Sequence, residues 1–391
     1  MPGPIHITDR ERRQALAWNH RLRTDRRTDD VVAIVEDLVG MHSSDPATVY
    51  LSLMARMPNP SPEPIDAALY DDRLLLRHHA MRRTLWVFTR ATADIAHNST
   101  TRKLASSEER RLAKLVEDNG VATDGLAWIA AAKEDLATAI RHRGPILARD
   151  LGASLPEWVV PLSAGPATIA AHTRVLLVMG FEGTIVRTRP VGSWISSQYA
   201  WSAMDAWAPG ALTHQPVDSA ASELVSRYLG AFGPATLDDI VWWTGWTRTQ
   251  TRAAMEAAGV REVRHDDGST GHVVDGHSAG KEDASESVSF LPSLDPTTMG
   301  WKERSWYLDP DHVPSLFDSN GNAGPTIWVD GRIVGGWAQR PDGEIAFEVL
   351  EDVGGYERNL IEVEAERTAA MYGEIRHRCR FPTPMVAQLL A

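Results

Sequence analysis

Side chains able to move a proton cluster in the segment Gly40-Met41-His42-Ser43-Ser44-Asp45-Pro46. An imidazole, with an ordinary pKa of about 6.5, is largely neutral at cellular pH and can take a proton from water. A hydroxyl can hold the same water by donating or accepting a hydrogen bond. His42 and Ser44 lie two residues apart and offer this pair of functions, while Asp45 could orient the imidazole or stabilise positive charge on a substrate. The same residues also read as a helix C-cap followed by a turn, since Ser, Asp and Pro are common boundary residues. Residue chemistry alone leaves both readings open.

Other chemistries have less support. A Schiff-base mechanism needs an amine nucleophile, and the first lysine after this segment is Lys103. The single cysteine, Cys379, cannot form an internal disulfide or hold an iron–sulfur cluster by itself. His265, His272 and His277, with Asp266, Asp267 and Asp275, surround a Gly-rich hairpin without rigid ligand spacing, which predicts an exposed hairpin and no metal site. No Walker or Rossmann glycine loop is present, so neither a nucleotide cofactor nor any other is expected. Fourteen tryptophans could stack on bases, but the spacing of Trp242, Trp243 and Trp246 assigns them to cores.

The elements that must position these residues follow from composition and periodicity. The chain has 391 residues, 43% hydrophobic and 24% charged, which predicts a soluble globular protein of two to three domains and excludes disorder. No signal-like or membrane-spanning run is present, so a cytoplasmic protein without membrane contact is expected. The net charge of −12 argues against non-specific coating of nucleic acid. Positive charge is nevertheless uneven: Arg10, Arg12, Arg13, Arg21, Arg23, Arg26 and Arg27 crowd the start, which reads as a locally basic region. Nearly all cations are guanidinium groups, suited to bidentate phosphate contacts, though a GC-rich coding genome explains the same bias.

Thr8 and Glu11 form a capping box that opens a helix over 9–23. Apolar spacing predicts a second helix from Thr28 to about Gly40 and a third over Ala47–Met57, with a buried strand at 81–88. Helix, helix, helix, strand resembles a winged-helix unit. A second such unit is expected from helices at 135–143, 146–151 and 167–179 with strands near 183–189 and 194–199. A third has helices at 221–232, 237–244 and 247–258, where Thr247 and Gln250 suggest another capping box, and a hairpin at 261–265 and 272–274. Gly144, Pro145, Asp150 and Leu151 recur 89 residues later as Gly233, Pro234, Asp239 and Ile240, which favours tandem modules. Beyond a polar loop at 277–287, strands are expected at 288–291, 326–329, 332–338 and 344–350. A helix from Glu357 to about Arg378 should cover them with Leu360, Val363, Ala370 and Met371. The modules are expected at 1–130, 131–215, 216–287 and 288–391.

Several segments resemble the AlkZ/YcaQ-like winged-helix family. They are Met81-Arg82-Arg83-Thr84-Leu85, Arg227-Tyr228-Leu229-Gly230-Ala231-Phe232-Gly233-Pro234-Ala235-Thr236, Leu291-Pro292-Ser293-Leu294-Asp295-Pro296 and the run from Pro325 to Trp337. The resemblance implies an α+β chain of three tandem winged-helix modules and a β-rich C-terminal element, forming a concave scaffold on double-stranded DNA. It implies a DNA glycosylase that excises bulky alkylated purines. The family's catalytic Gln-x-Gln or Gln-x-Asp tripeptide falls on His42-Ser43-Ser44, a departure from the pattern.

These features lead to the expectation of a monomeric, cofactor-free, monofunctional glycosylase acting on N7-alkylated purines, antibiotic adducts and crosslinks included. His42, Ser44 and Asp45 are its candidate catalytic residues. DNA contacts are expected from Arg82 and Arg83, from Arg248 and Arg252 one turn apart on a recognition-type helix, and from Asp295, Gln339 and Arg340. The alternatives are a non-catalytic DNA-binding regulator or damage-recognition protein, or an interaction scaffold.

Overall fold

A computed structural model describes residues 5–275 and 287–391. His277 and nearly all of the expected polar loop lie outside the described residues. The chain divides into two compact units, one built from Met1–Asp66 and Ser222–Ala391, the other from Ala67–Ala221.

In the first unit the helix Asp9–Asn19 starts at the expected capping box, with Thr8 accepting from the Glu11 amide and Glu11 accepting from the Thr8 amide at 2.7 Å. It ends earlier than expected: His20 caps it and Arg21 takes a positive φ of 54°. The short strand Ile5–His6, not foreseen, pairs in parallel with Arg261–Arg264 of the hairpin Arg261–Arg264/Thr270–Val273. That hairpin follows the helices Val217–Phe232, Leu237–Thr244 and Arg248–Ala257, close to the expected bounds. The capping box of this region is Thr236 with Asp239; Thr247 caps its own helix by accepting from the Gln250 amide.

A four-stranded antiparallel sheet runs in sequence order through Val288–Leu291, Thr326–Val329, Arg332–Gln339 and Ile345–Val349. The helix Gly355–Tyr372 packs beside it, and of the face expected to cover the sheet Met371 is buried and Leu360 partly buried, while the rest is not. Val363 is 60% exposed and Ala370 is also outside, whereas Ile361, Glu364, Ala365 and Thr368 point inward. Polar pairing explains the difference: Glu364 accepts from Arg27 at 3.0 Å and from Arg367 at 2.7 Å, so a charged residue occupies the inner face.

Several early arginines are likewise consumed internally. Arg12 is buried over the Trp306 ring, 4.0 Å from its centroid. Arg13 donates to the Trp306 carbonyl, Arg21 pairs with Asp37 and Arg23 with Asp25. The local basicity of the sequence therefore does not become an equally basic surface.

The second unit holds the helices Arg102–Asp118, Gly125–Arg143, Ala148–Ser154 and Ala171–Glu182 and the paired strands Ile185–Pro190 and Tyr199–Ala203. Residues 167–170, expected to open a helix, form a small hairpin with Pro161–Ala164 instead. The echo at 89 residues is visible in packing: Leu151 and Ile240 are both completely buried on the helix after each Gly-Pro turn. Its polar member diverges, because Asp150 is exposed while Asp239 is sealed and accepts from the Lys302 and Glu303 amides. The strand expected at 81–88 is Leu85–Thr89, paired with Leu75–His79. Arg82 and Arg83 form the turn between them, both in left-handed backbone conformations.

Candidate active site

The segment 41–45 is extended and then bends before a helix begins. Met41 and His42 form a short strand, and Asp45 is the N-cap of the helix Pro46–Met54. Asp45 Oδ1 accepts from the Ala47 amide at 3.1 Å, satisfying one of the helix's unpaired donors, and Pro46 supplies a preset φ at the first helical position. Every residue of that helix is buried, so it is a fixed platform. The C-cap-and-turn reading thus holds in part: a boundary does lie here, and Asp45 begins the next helix.

Burial alternates along the segment. Met41, Ser43 and Asp45 are buried at 0%, 1% and 2% exposure, while His42 and Ser44 are half-buried. An extended chain places alternate residues on opposite faces, so anchoring the inner set fixes the direction of the outer set. The imidazole and the hydroxyl proposed to share a water belong to the outer set.

Asp45 is anchored again by a residue that sequence reasoning missed. Its Oδ2 lies 3.2 Å from Nε2 of His377, in the irregular segment 374–383 that follows the helix Gly355–Tyr372. Arg380 of the same segment donates to the Ser44 carbonyl at 2.9 Å. Gln339 meets this segment as well, accepting from the His377 amide at 2.9 Å and donating to the Ile375 carbonyl at 3.0 Å. The helix expected to run to about Arg378 stops at Tyr372, and nothing in the sequence of 374–383 signals these contacts. Those to Ser44 and Asp45 join residues more than 300 positions apart in sequence.

A cavity of ≈ 340 Å³ adjoins this cluster, lined by Thr48, Trp337, Gln339, Tyr372, His377 and Cys379 among others. Thr48, one turn into the platform helix, donates to the Ser293 carbonyl at 2.8 Å and ties the Leu-Pro-Ser-Leu-Asp-Pro segment to it. Burial pushes the Cys379 thiol up, which leaves it a poor nucleophile.

Asp295 has no surface to offer DNA. It is completely buried, and its two oxygens accept from Arg56 at 2.9 Å each. Arg56, also fully buried, places its remaining donors on the His20 and Ser52 carbonyls and on Thr297. Burial pushes the Asp295 carboxyl up, and the charge and hydrogen bonds of Arg56 more than reverse this, holding it below its ordinary value. Its expected role as a DNA contact is replaced by one inside the unit. The signal for it was an arginine in the otherwise apolar run Leu51-Ser52-Leu53-Met54-Ala55-Arg56.

The remaining candidates are on the surface. Arg248 and Arg252 line one groove, but Arg248 pairs with Asp238. That groove also carries Asp267, Glu262 and Glu303, so it is mixed in charge. Arg340, at the Asp342-Gly343 hairpin, pairs with Glu344 at 2.7 Å. In the second unit Arg83 pairs with Glu108 at 2.8 Å, and Arg82 is exposed beside it. The hairpin histidines depart from the exposed placement expected: His265 and His272 are 2% and 9% exposed. Burial, with Arg12 nearby, lowers the His265 pKa to about 4. Among the described residues no group of three or more His, Cys, Asp or Glu side chains could hold a metal ion, and no helix is long and apolar enough to cross a membrane.

A model of the family DNA glycosylase AlkZ-like matches residues 35–371, which covers the polar segment, the platform helix and the four-stranded sheet. The chain belongs to the AlkZ-like DNA glycosylase family. Its activity class is therefore that of a DNA glycosylase, with DNA as the substrate polymer. The fold agrees: the DNA glycosylase AlkZ of Streptomyces sahachiroi superposes with a TM-score of 0.72 at 18% identity, over 92% of this chain and 96% of that one. No curated protein matches the chain in sequence. In this AlkZ-like chain, the segment that grips Ser44 and Asp45 begins after the last residue matched to the family.

Proposed function

We propose that this chain hydrolyses the N-glycosidic bond of bulky N7-alkylated purines in double-stranded DNA, with His42 and Ser44 at the reacting centre. The observation that carries the reading is the alternating burial of 41–45, which leaves the residues His42 and Ser44 partly exposed beside a fixed platform. Glycosidic cleavage passes through an oxocarbenium-like state, and the attacking water must be held and deprotonated on the sugar's open face. His42 accepts the proton, and Ser44 holds the water. Asp45, committed to the helix N-terminus and to His377, supports positive charge from behind and does not itself attack.

A purine alkylated at N7 carries positive charge and leaves without strong acid catalysis, so a neutral base and a hydroxyl suffice. The reaction is monofunctional because this segment supplies no amine. DNA is held by winged-helix modules. The three-helix-plus-hairpin succession at 217–273, and the succession of Gly125–Arg143, Ala148–Ser154 and Ala171–Glu182 with the strands to 203, support that reading. Arg82, Arg83, Arg252 and Arg340 are the candidate phosphate contacts, and the protein acts as a monomer.

The test is chromatography of free bases released from duplexes carrying N7-methylguanine or a bulky N7 adduct. Release of the modified base with alkali-labile sites, and no covalent complex on borohydride treatment, is expected. Salt-sensitive binding without release would instead indicate a DNA-binding regulator.

A further inference from the structure

The segment 374–383 runs without regular structure between the helices Gly355–Tyr372 and Pro384–Leu389, yet its side chains are tied down at successive points. Arg376 donates to the Pro341 and Asp342 carbonyls at 3.3 and 2.8 Å. Its guanidinium crosses Gly343, whose φ of +103° is a backbone conformation that favours glycine. Gln339 holds the backbone at Ile375 and His377. His377 and Arg380 then reach Asp45 and the Ser44 carbonyl.

A buried carboxylate is stable only when paired and hydrogen-bonded. Asp45 Oδ1 accepts from the helix amide, whereas its Oδ2 has no hydrogen bond and meets only the His377 Nε2 edge, 3.2 Å away, as its electrostatic partner. The amide fixes where the helix starts; His377 fixes the rotation of the carboxylate and, with Arg380, the path of the two residues before Pro46. Because His42 and Ser44 alternate with the anchored Ser43 and Asp45, a shift of the inner set turns the outer set away from its water.

We propose that residues 374–381 form a strap that completes the active site, and that His377 is a positioning residue acting through Asp45, with Arg380 steadying Ser44. This rests on the glycosylase reading above. His377 touches no reacting atom in this account, so its removal slows the chemical step without changing how DNA is held.

The experiment measures single-turnover excision and affinity for undamaged duplex in wild type, His377→Ala, His377→Gln, Arg380→Ala, Asp45→Asn and Asp45→Asn with His377→Ala. Misplacement on the scale of an ångström is worth about 100-fold, so His377→Ala should slow excision roughly 10- to 100-fold with affinity within about twofold. Glutamine can donate from nearly the same place as Nε2 and should restore most of the rate. In the Asp45→Asn background the alanine change should have no further effect. Unchanged excision in His377→Ala, equal losses in both backgrounds, or no rescue by glutamine would overturn the proposal. Hydrogen exchange over 40–46 gives a readout independent of activity: it should quicken in His377→Ala and Arg380→Ala while that of 48–54 stays slow. If wild type releases no base, the glycosylase reading fails, and unchanged exchange over 40–46 would separately defeat the strap.

Discussion

Replacing Asp295 by asparagine removes one charge from an ion pair that has no exposed surface on either side. Arg56 keeps its charge, has one of its two carboxylate acceptors replaced by an amide NH2 that can only donate, and retains one amide oxygen, two carbonyls and a hydroxyl. Breaking a buried pair in this way costs about 3–5 kcal/mol, because the remaining ion is left without its counter-charge. For a unit of this size that corresponds to a fall in melting temperature of roughly 6–20 °C. The assay is thermal and urea unfolding followed by tryptophan fluorescence, alongside binding to undamaged duplex at two salt concentrations. Arg56→Met with Asp295→Leu, which removes both charges, should recover most of the loss. The reasoning is refuted if Asp295→Asn melts within about 1 kcal/mol of wild type and instead changes the salt dependence of DNA binding, since Asp295 would then be reachable by DNA.

Other consequences concern buried imidazoles, the surface arginines and the reacting hydroxyl. His79 stacks on Phe181, and neither ring nitrogen has a hydrogen-bond partner among the described residues. Burial, with Arg187 nearby, lowers its pKa to about 3. The fold therefore favours the neutral ring: stability is complete above the unfolded value of about 6.5 and is lost as pH falls towards 3, by about 2 kcal/mol between pH 7 and 5. His79→Phe should flatten the pH dependence of urea unfolding by that amount, and an unchanged dependence would show that the ring is solvated. Arg252→Ala should reduce the slope of log K against log salt by about 1 if its guanidinium meets a phosphate, and binding titrations at several salt concentrations measure it. Ser44→Ala, which removes the hydroxyl that holds the water, should slow excision about 10-fold in single turnover and leave the melting temperature unchanged.

Elements with a local signature were legible in the sequence. The Thr8/Glu11 box, the Asp45-Pro46 helix start and the strands around Asp330-Gly331 and Asp342-Gly343 declare themselves through caps and turns, and they lie within a few residues of where the pattern puts them. The helix Gly355–Tyr372 was found with Met371 inside, but it stops short of Arg378 and its inner face differs at Val363 and Ala370, because apolar counting cannot see that Glu364 is drawn inward by Arg27, 337 positions away. The same limit hid the partners of Asp295 and Asp45. A charged residue in an apolar run, Arg56, hints at a buried counter-ion without saying which. His377 stands among arginines where the pattern wrongly continues the helix, and its place beside Asp45 follows only from the folded chain. The first arginines misled for a related reason: composition counts charge, but stacking on Trp306 and pairing within the unit decide whether it reaches solvent.

The central claim is that the imidazole of the half-buried His42 prepares the water that cleaves the glycosidic bond. Single-turnover excision of an N7-alkylguanine from duplex DNA, comparing wild type with His42→Ala of matched DNA affinity and stability, tests it most directly. General base catalysis predicts a loss of about 100- to 10,000-fold. Excision at the wild-type rate by His42→Ala would contradict it and move the chemistry elsewhere in the molecule.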